Sequence, residues 1–266
     1  MDMKQNRIDH FEELLHDSLA ANSTPSDEIQ QSLLSHFKEK EKISMKHTSI
    51  KRTPLIAAVL CLTLSVTAMA SWHFLNATSV AARTAPALSD AFASKDAKKL
   101  NTVRAEDGYV ISLLGITSGK ALTKSDPDLN DTSTYAVVAI AKEDGTPVDP
   151  VNQPYFVSPL IQGLEAWKYN IASMSGSYKE FIENGILYRL IECDDIQLFA
   201  DRNLYLCVTD TPFYENNAFI ADEEGRLSEN PAYEGLNVLF DLPLDASKAD
   251  PEAAQAYIAA LWPCEE

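Results

Sequence analysis

Apolar positions follow three different rhythms along this chain, and each predicts a different element. In "IDHFEELLHDSLA" (residues 8–20), Ile8, Phe11, Leu15 and Leu19 fall on one stripe of a helix. Thr24-Pro25-Ser26-Asp27 then reads as a helix start, with Pro in the first turn and an acid behind it. Ile29, Leu33 and Phe37 follow at i, i+4 and i+8, so a second short helix is expected before the charged "KEKEK". Two helices this short bury little against each other. Their apolar stripes point to a partner, with Phe11, Leu15, Ile29, Leu33 and Phe37 as the candidate contact residues. A self-packed hairpin or a frayed tail is the plainer reading of the same residues.

The second rhythm is an unbroken run. Residues 55–75 are 21 positions without Asp, Glu, Lys or Arg. As a helix they extend about 31 Å, enough to cross the hydrocarbon of a bilayer. No polar face interrupts the run, and Trp72 sits at its far edge, where an amphipathic ring suits the interface. Lys38, Lys40, Lys42, Lys46, Lys51 and Arg52 crowd the N-terminal side, whereas only Arg83 follows before Asp90. A single-pass anchor with a cytoplasmic N-terminus and an exported C-terminal part is therefore expected. Ala68-Met69-Ala70 also has the small-x-small form of a signal-peptide cleavage site, which would release a domain starting at Ser71.

The third rhythm is that of strands. Beyond "NATSVAARTAPAL", read as a spacer, and a short helix expected over residues 89–100, the chain becomes β-branched. "YVISLLGI" (109–116) and "YAVVAIA" (135–141) are apolar on both faces, as interior strands are. "YFVSPLIQG" (155–163) carries Pro159, which demotes it to an edge or broken strand. Asn184-Gly185 between "YKEFIE" and "ILYRLIE" is a hairpin signal. "IQLFA" and "LYLCVTD" flank Asp201-Arg202-Asn203, and residues 215–235 read as a long polar loop. Asp250 and Pro251 open a final helix whose inner face is Ala254, Tyr257, Ile258 and Leu261. The expected architecture is α+β: a helical segment over 1–54, a transmembrane helix over 55–75, a spacer and short helix over 76–100, and a strand-rich exported domain with a C-terminal helix over 101–266.

Charge sharpens this division. Residues 1–54 hold eight Lys/Arg against nine Asp/Glu, and the rest holds fourteen against thirty. An exported part this acidic argues against nucleic acid and anionic headgroups as its partners. All five histidines lie at or before His73, so the expected domain lacks the usual general base and the commonest zinc ligand. Gly115-Ile116-Thr117-Ser118-Gly119-Lys120 is one residue short of a phosphate-binding loop, and Ala121 stands where Ser or Thr would hold magnesium. Asp126, Asp128 and Asp131 are closely spaced, but the glycine and final glutamate of a calcium loop are missing. Cys193 and Cys207 are open to two readings, a bridge across paired strands or two small buried hydrophobes. No catalytic, cofactor-binding or metal-binding residues are assigned, and an enzyme is the least favoured class.

The stretches "MKHTSIKRTPLIAAVLCLTLSVTAMASWHFL", "YAVVAIAKEDGTP", "FVSPLIQG", "GILYRLIECDDIQLFADRNLYL" and "NVLFDLPLDASKADPEAAQAYI" resemble a family of single-pass Firmicutes membrane proteins. These look like anti-sigma factors with an exported domain of unknown function. The resemblance implies a cytoplasmic segment that holds a sigma factor and an outer domain that senses an extracellular ligand or protein. The zinc-containing class of anti-sigma factors is not matched, because no cysteine precedes Cys61. A tethered extracellular binding domain with no sigma-factor role is the alternative. The topology is checked with protease on intact spheroplasts: a C-terminal epitope is digested and one at residue 10 is spared. Protection of both would sink the exported-domain expectation, and a soluble form beginning at Ser71 would favour the cleaved signal.

Overall fold

The computed structural model describes residues 72–262, apart from 124, 125 and 128. The expected cytoplasmic helices, with Phe11, Leu15, Ile29, Leu33 and Phe37, lie outside the described residues, as does the expected span up to Ser71. The remaining four residues of that span, 72–75, are not helical. Trp72, Phe74 and Leu75 are partly buried against a sheet. The Trp72 and Phe74 rings stack with centroids 6.3 Å apart, and the Leu75 N–H donates to Tyr188 Oη at 3.2 Å. Hydropathy alone cannot separate apolar residues that face lipid from those that face a sheet, which is why the run was read through to Leu75. Among the described residues no helix is long and apolar enough to cross a membrane.

Two short helices come first, α1 (Ala77–Thr84) and α2 (Pro86–Ala93). The spacer expected here is therefore part of the fold, and the helix expected over 89–100 begins and ends earlier. Asn76 caps α1 by accepting the Ser79 N–H at 2.9 Å, and Pro86 opens α2 at a position where no N–H is needed. Small residues hide the apolar stripe of α1 from a hydropathy reading: Ala77, Val80 and Ala81 are buried, as are Leu88, Ala91 and Phe92 of α2.

Ten strands follow. A five-stranded antiparallel sheet has the order β1-β2-β3-β6-β5, built from β1 (Lys98–Glu106), β2 (Tyr109–Ser118), β3 (Ser133–Lys142), β5 (Ser177–Glu183) and β6 (Ile186–Asp194). A three-stranded sheet has the order β10-β7-β4, from β4 (Phe156–Ile161), β7 (Leu204–Thr209) and β10 (Asn237–Asp241). A two-stranded ribbon, β8 (Phe219–Ala221) with β9 (Leu227–Glu229), occupies part of the stretch expected to be loop. The last element among the described residues is α3 (Pro251–Leu261), capped by Asp250, which accepts the Ala253 N–H at 3.0 Å. The α+β class with a C-terminal helix is as expected.

β2 and β3 are buried at nine of their ten positions, because both faces of their sheet are covered. Ala136, Val138 and Ile140 of β3 pack into a core shared with Leu204, Leu206 and Val208 of β7. Tyr135, Val137 and Ala139 face Val80, Leu88 and Phe92 of the helices. A bulge between Leu113 and Gly115 shifts the alternation of β2, so that both Leu113 and Ile116 join the inter-sheet core. The outer face of the three-stranded sheet has its own cluster of Phe156, Leu160, Tyr205 and Cys207 with Ala218 and Phe219.

The turns follow their dipeptides. Asn184 and Gly185 have φ of 51° and 79° between Glu183 and Ile186, the left-handed pair that a two-residue hairpin turn uses. Pro159 lies on β4, an edge strand, as its missing N–H requires. "IQLFA" is a 3-10 turn (Ile196–Phe199) and not a strand. Cys193 and Cys207 sit on strands of different sheets, in different cores, and both are free thiols.

The helical layer gives a direct test. In a chain starting at Trp72, Phe92→Ala is expected to cost about 3–5 kcal/mol in a denaturant titration, as large buried aromatics do. Removing residues 72–96 uncovers Leu114, Tyr135, Val137 and Tyr188 together and is expected to leave no cooperative transition. A spacer in this position would leave both measurements unchanged.

Candidate functional site

The strands of the larger sheet bring four connections to one end. β1 begins there, β2 ends there, β3 begins beside it, and β6 runs out into the 3-10 turn at Ile196. These connections and the segment between β10 and α3 frame a groove of about 550 Å3. Its floor includes Ile116, Thr117 and Thr134 from the strands and Leu244 from the segment leading to α3.

Four lysines line this groove, each from a different segment. Lys95 comes from the α2–β1 connection, Lys98 from the first position of β1, Lys120 from the 3-10 turn Gly119–Ala121, and Lys248 from the 3-10 turn Ala246–Lys248. The turns that carry Lys120 and Lys248 are fixed by short-range hydrogen bonds. Ser118 Oγ accepts the Lys120 N–H at 3.2 Å. Gly119 allows that turn to lie against the 130–131 backbone, since a Cβ there would stand 2.2 Å from the Asn130 carbonyl oxygen. Asp245 accepts the Ser247 N–H at 3.0 Å and the Ser247 hydroxyl at 2.7 Å. Gln197 Nε2 donates to the Asp245 carbonyl at 2.8 Å, which ties the two sides together.

The charge of the groove is only partly neutralised within it. Lys120 Nζ pairs with Asp195 Oδ2 at 2.9 Å, while Asp195 Oδ1 accepts the Gln197 N–H. Lys95, Lys98 and Lys248 make no ion pair among the described residues. Two acids share the lining, Asp96 and Asp245. The Ser247 hydroxyl and N–H, and then Lys248 and Lys98, hold the Asp245 carboxyl below the usual carboxylate range. Counting Asp195 with the two lining acids, four ammonium groups meet three carboxylates, which leaves one positive charge in excess on a chain whose net charge is −17.

The hydrogen-bond partners of the Thr117 and Ser118 hydroxyls are backbone groups, the Ala91 carbonyl and the Lys120 N–H. Among the described residues no three His, Cys, Asp or Glu side chains converge as a metal site would require. Of the closely spaced acids, Asp126 and Asp131 are described, while Asp128 lies outside the described residues. The near-match to a phosphate loop forms the end of β2 and one 3-10 turn, with no helix behind it. Its Lys120 does face the groove, but from a different geometry than that motif implies.

The groove is not evident from the sequence: the helix expected over 89–100 would carry Lys98 near its end, whereas Lys98 opens β1. A signal was present: "SKDAKK", "SGK" and "ASK" are short lysine-bearing turns in an acid-rich chain. Compared with protein-family models, curated proteins and solved structures, the chain matches none.

Titratable groups in the cores set the pH response. Burial raises the Cys207 thiol to about 12 and raises Cys193 as well. Burial, then a hydrogen bond to Glu192, raises Tyr135, and burial, then Asp194, raises Tyr257. In the unfolded chain the thiols lose their protons near 9.0 and the phenols near 10.0. The folded state keeps these protons, so it is fully favoured below pH 9.0 and loses stability as pH rises above it. The denaturant midpoint is expected to fall from there upward, as the unfolding free energy drops by as much as about 1.4 kcal/mol per pH unit for each group. A flat midpoint through that range would contradict the burial of these side chains.

Proposed function

We propose that this protein is a membrane-anchored regulatory protein, similar in organisation to an anti-sigma factor, whose folded domain lies outside the cell and acts as a binding or sensing module. Its N-terminal segment would hold a sigma factor through Phe11, Leu15, Ile29, Leu33 and Phe37. Masking would be the mechanism: the partner stays covered until the segment is cleaved or rearranged. The domain would act by shifting a conformational equilibrium, with no bond chemistry required. The observation that best supports the reading is the junction at residues 72–75. The charge-free run leads without a spacer into side chains packed on the sheet, so a change in the domain has a short mechanical path to the run.

The same junction trims the proposed anchor. From Leu55 through Ser71 it has 17 residues, about 26 Å as a helix and close to the shortest length that spans a bilayer. It also favours a second reading, cleavage after Ala70. A released chain would then begin at Ser71, one residue before the packed Trp72.

The tail carries the test of the regulatory role. Residues 1–54 used as bait should capture a discrete partner, and Phe11→Asp combined with Leu33→Asp should abolish capture while leaving membrane insertion intact. Burying a carboxylate in an apolar interface costs several kcal/mol. Unchanged capture by the double variant, or no specific partner for the wild-type tail, would remove the sigma-factor role and leave the tethered binding domain.

A further inference from the structure

We infer that the four-lysine groove is a binding site for a ligand that carries several phosphate groups. Beyond the run at 55–75 the chain has nine lysines, and four of them line this one groove. They reach it from four separate segments, although thirty acids after residue 54 could have drawn them apart. Like charges gathered on a folded surface repel one another; Lys120 is paired with Asp195, Lys98 and Lys248 share the single carboxylate of Asp245 without a close ion pair, and Lys95 makes none among the described residues. Such a cluster gains a counter-charge when an anion enters.

The type of cation narrows the ligand. An arginine fork suits the planar, two-point geometry of a carboxylate, whereas lysine acts as a compact point charge with three rotatable donors. No arginine lines the groove among the described residues. Tetrahedral phosphate oxygens accept from point donors in many directions. A single charge is poorly matched to ammonium groups carried by four segments, so a chain of phosphates or phosphodiesters is the better fit. The volume of about 550 Å3 lies within the range of small-molecule sites and would admit a short oligophosphate unit. The Ser118 hydroxyl accepts from Lys120 and keeps its own proton to donate. Asp96 and Asp245 oppose the anion and restrict where it lies. The inference rests on the reading of this domain as a binding module. It does not depend on a sigma factor, because loss of tail capture would leave the groove's binding unaffected.

The test uses the full chain in neutral detergent at fixed ionic strength. The probe is sodium tripolyphosphate, read by melting shift and by titration calorimetry, with citrate and sulfate as comparison anions and phosphatidylglycerol micelles as a lipid source of phosphate. Tripolyphosphate is expected to raise the melting temperature, and citrate at equal charge to do so far less. Lys98→Gln and Lys248→Gln should each weaken binding about fivefold, near the upper value of an exposed ion pair, and about twenty-five-fold together. Asp195→Asn keeps an oxygen for the Gln197 N–H and frees Lys120, so binding should tighten about two- to fivefold. Lys168→Gln with Lys179→Gln, away from the groove, should change nothing. A response to the lipid micelles that Lys98→Gln/Lys248→Gln removes would identify a headgroup as the source. An equal response to citrate, or equal losses in the Lys168/Lys179 variant, would overturn the proposal. Melting of each variant without anion shows that the exposed lysines were not needed for folding.

Discussion

The two-sided burial of the five-stranded sheet is the constraint from which the rest of the structure follows. A sheet with one wet face can be stable with alternating residues. This one cannot, because Tyr135, Val137, Ala139, Tyr188 and Leu190 point away from the inter-sheet core and are themselves apolar. They need cover, and α1 and α2 supply it. The other face is closed by the smaller sheet, which in turn needs β8, β9 and neighbouring loops over its outer side. Each layer exists because the one before it left an apolar surface.

Layering of this kind leaves the ends of the strands as the place where polar chemistry can gather. The interior is largely apolar, and the one buried charged side chain among the described residues, Arg189, is paired with Glu180 at 2.7 Å and donates to the Tyr155 carbonyl. At one end of the sheet, short 3-10 turns replace regular structure. Turns of this kind carry capping Ser and Asp residues, and those residues fix the backbone that presents the lysines.

Much of the sheet was legible because its residues obey local rules. Apolar pairs of neighbours in β2 and β3 announced a sheet covered twice. Pro159 announced an edge, Asn184-Gly185 a tight hairpin, and Asp250-Pro251 a helix start. β1 was missed because it is an edge strand of mostly exposed residues, although Asp107-Gly108 makes a left-handed turn to β2 much as Asn184-Gly185 does to β6. α1 was missed because alanines and threonines contribute little to hydropathy even when their faces are buried. The Ile196–Phe199 turn is not distinguishable from a short strand in sequence, because four residues cannot declare a period. The groove was illegible for a different reason: its four lysines are spread over more than 150 positions of sequence, and only the pairing of strand ends makes them neighbours.

The attachment of residues 72–75 also sets a direction of mechanical weakness. Tension applied to the chain ahead of Trp72 falls first on the Leu75–Tyr188 hydrogen bond and the stacked Trp72 and Phe74 rings, and then on α1. Those contacts give way one after another, like a zip, because each lies nearer the point of pull than the next. The strands, in contrast, are joined by ladders of bonds that would have to break together. A pull would therefore strip the helical layer before it disturbed the sheet, and what it uncovered would be the apolar face bearing Tyr135, Val137 and Tyr188.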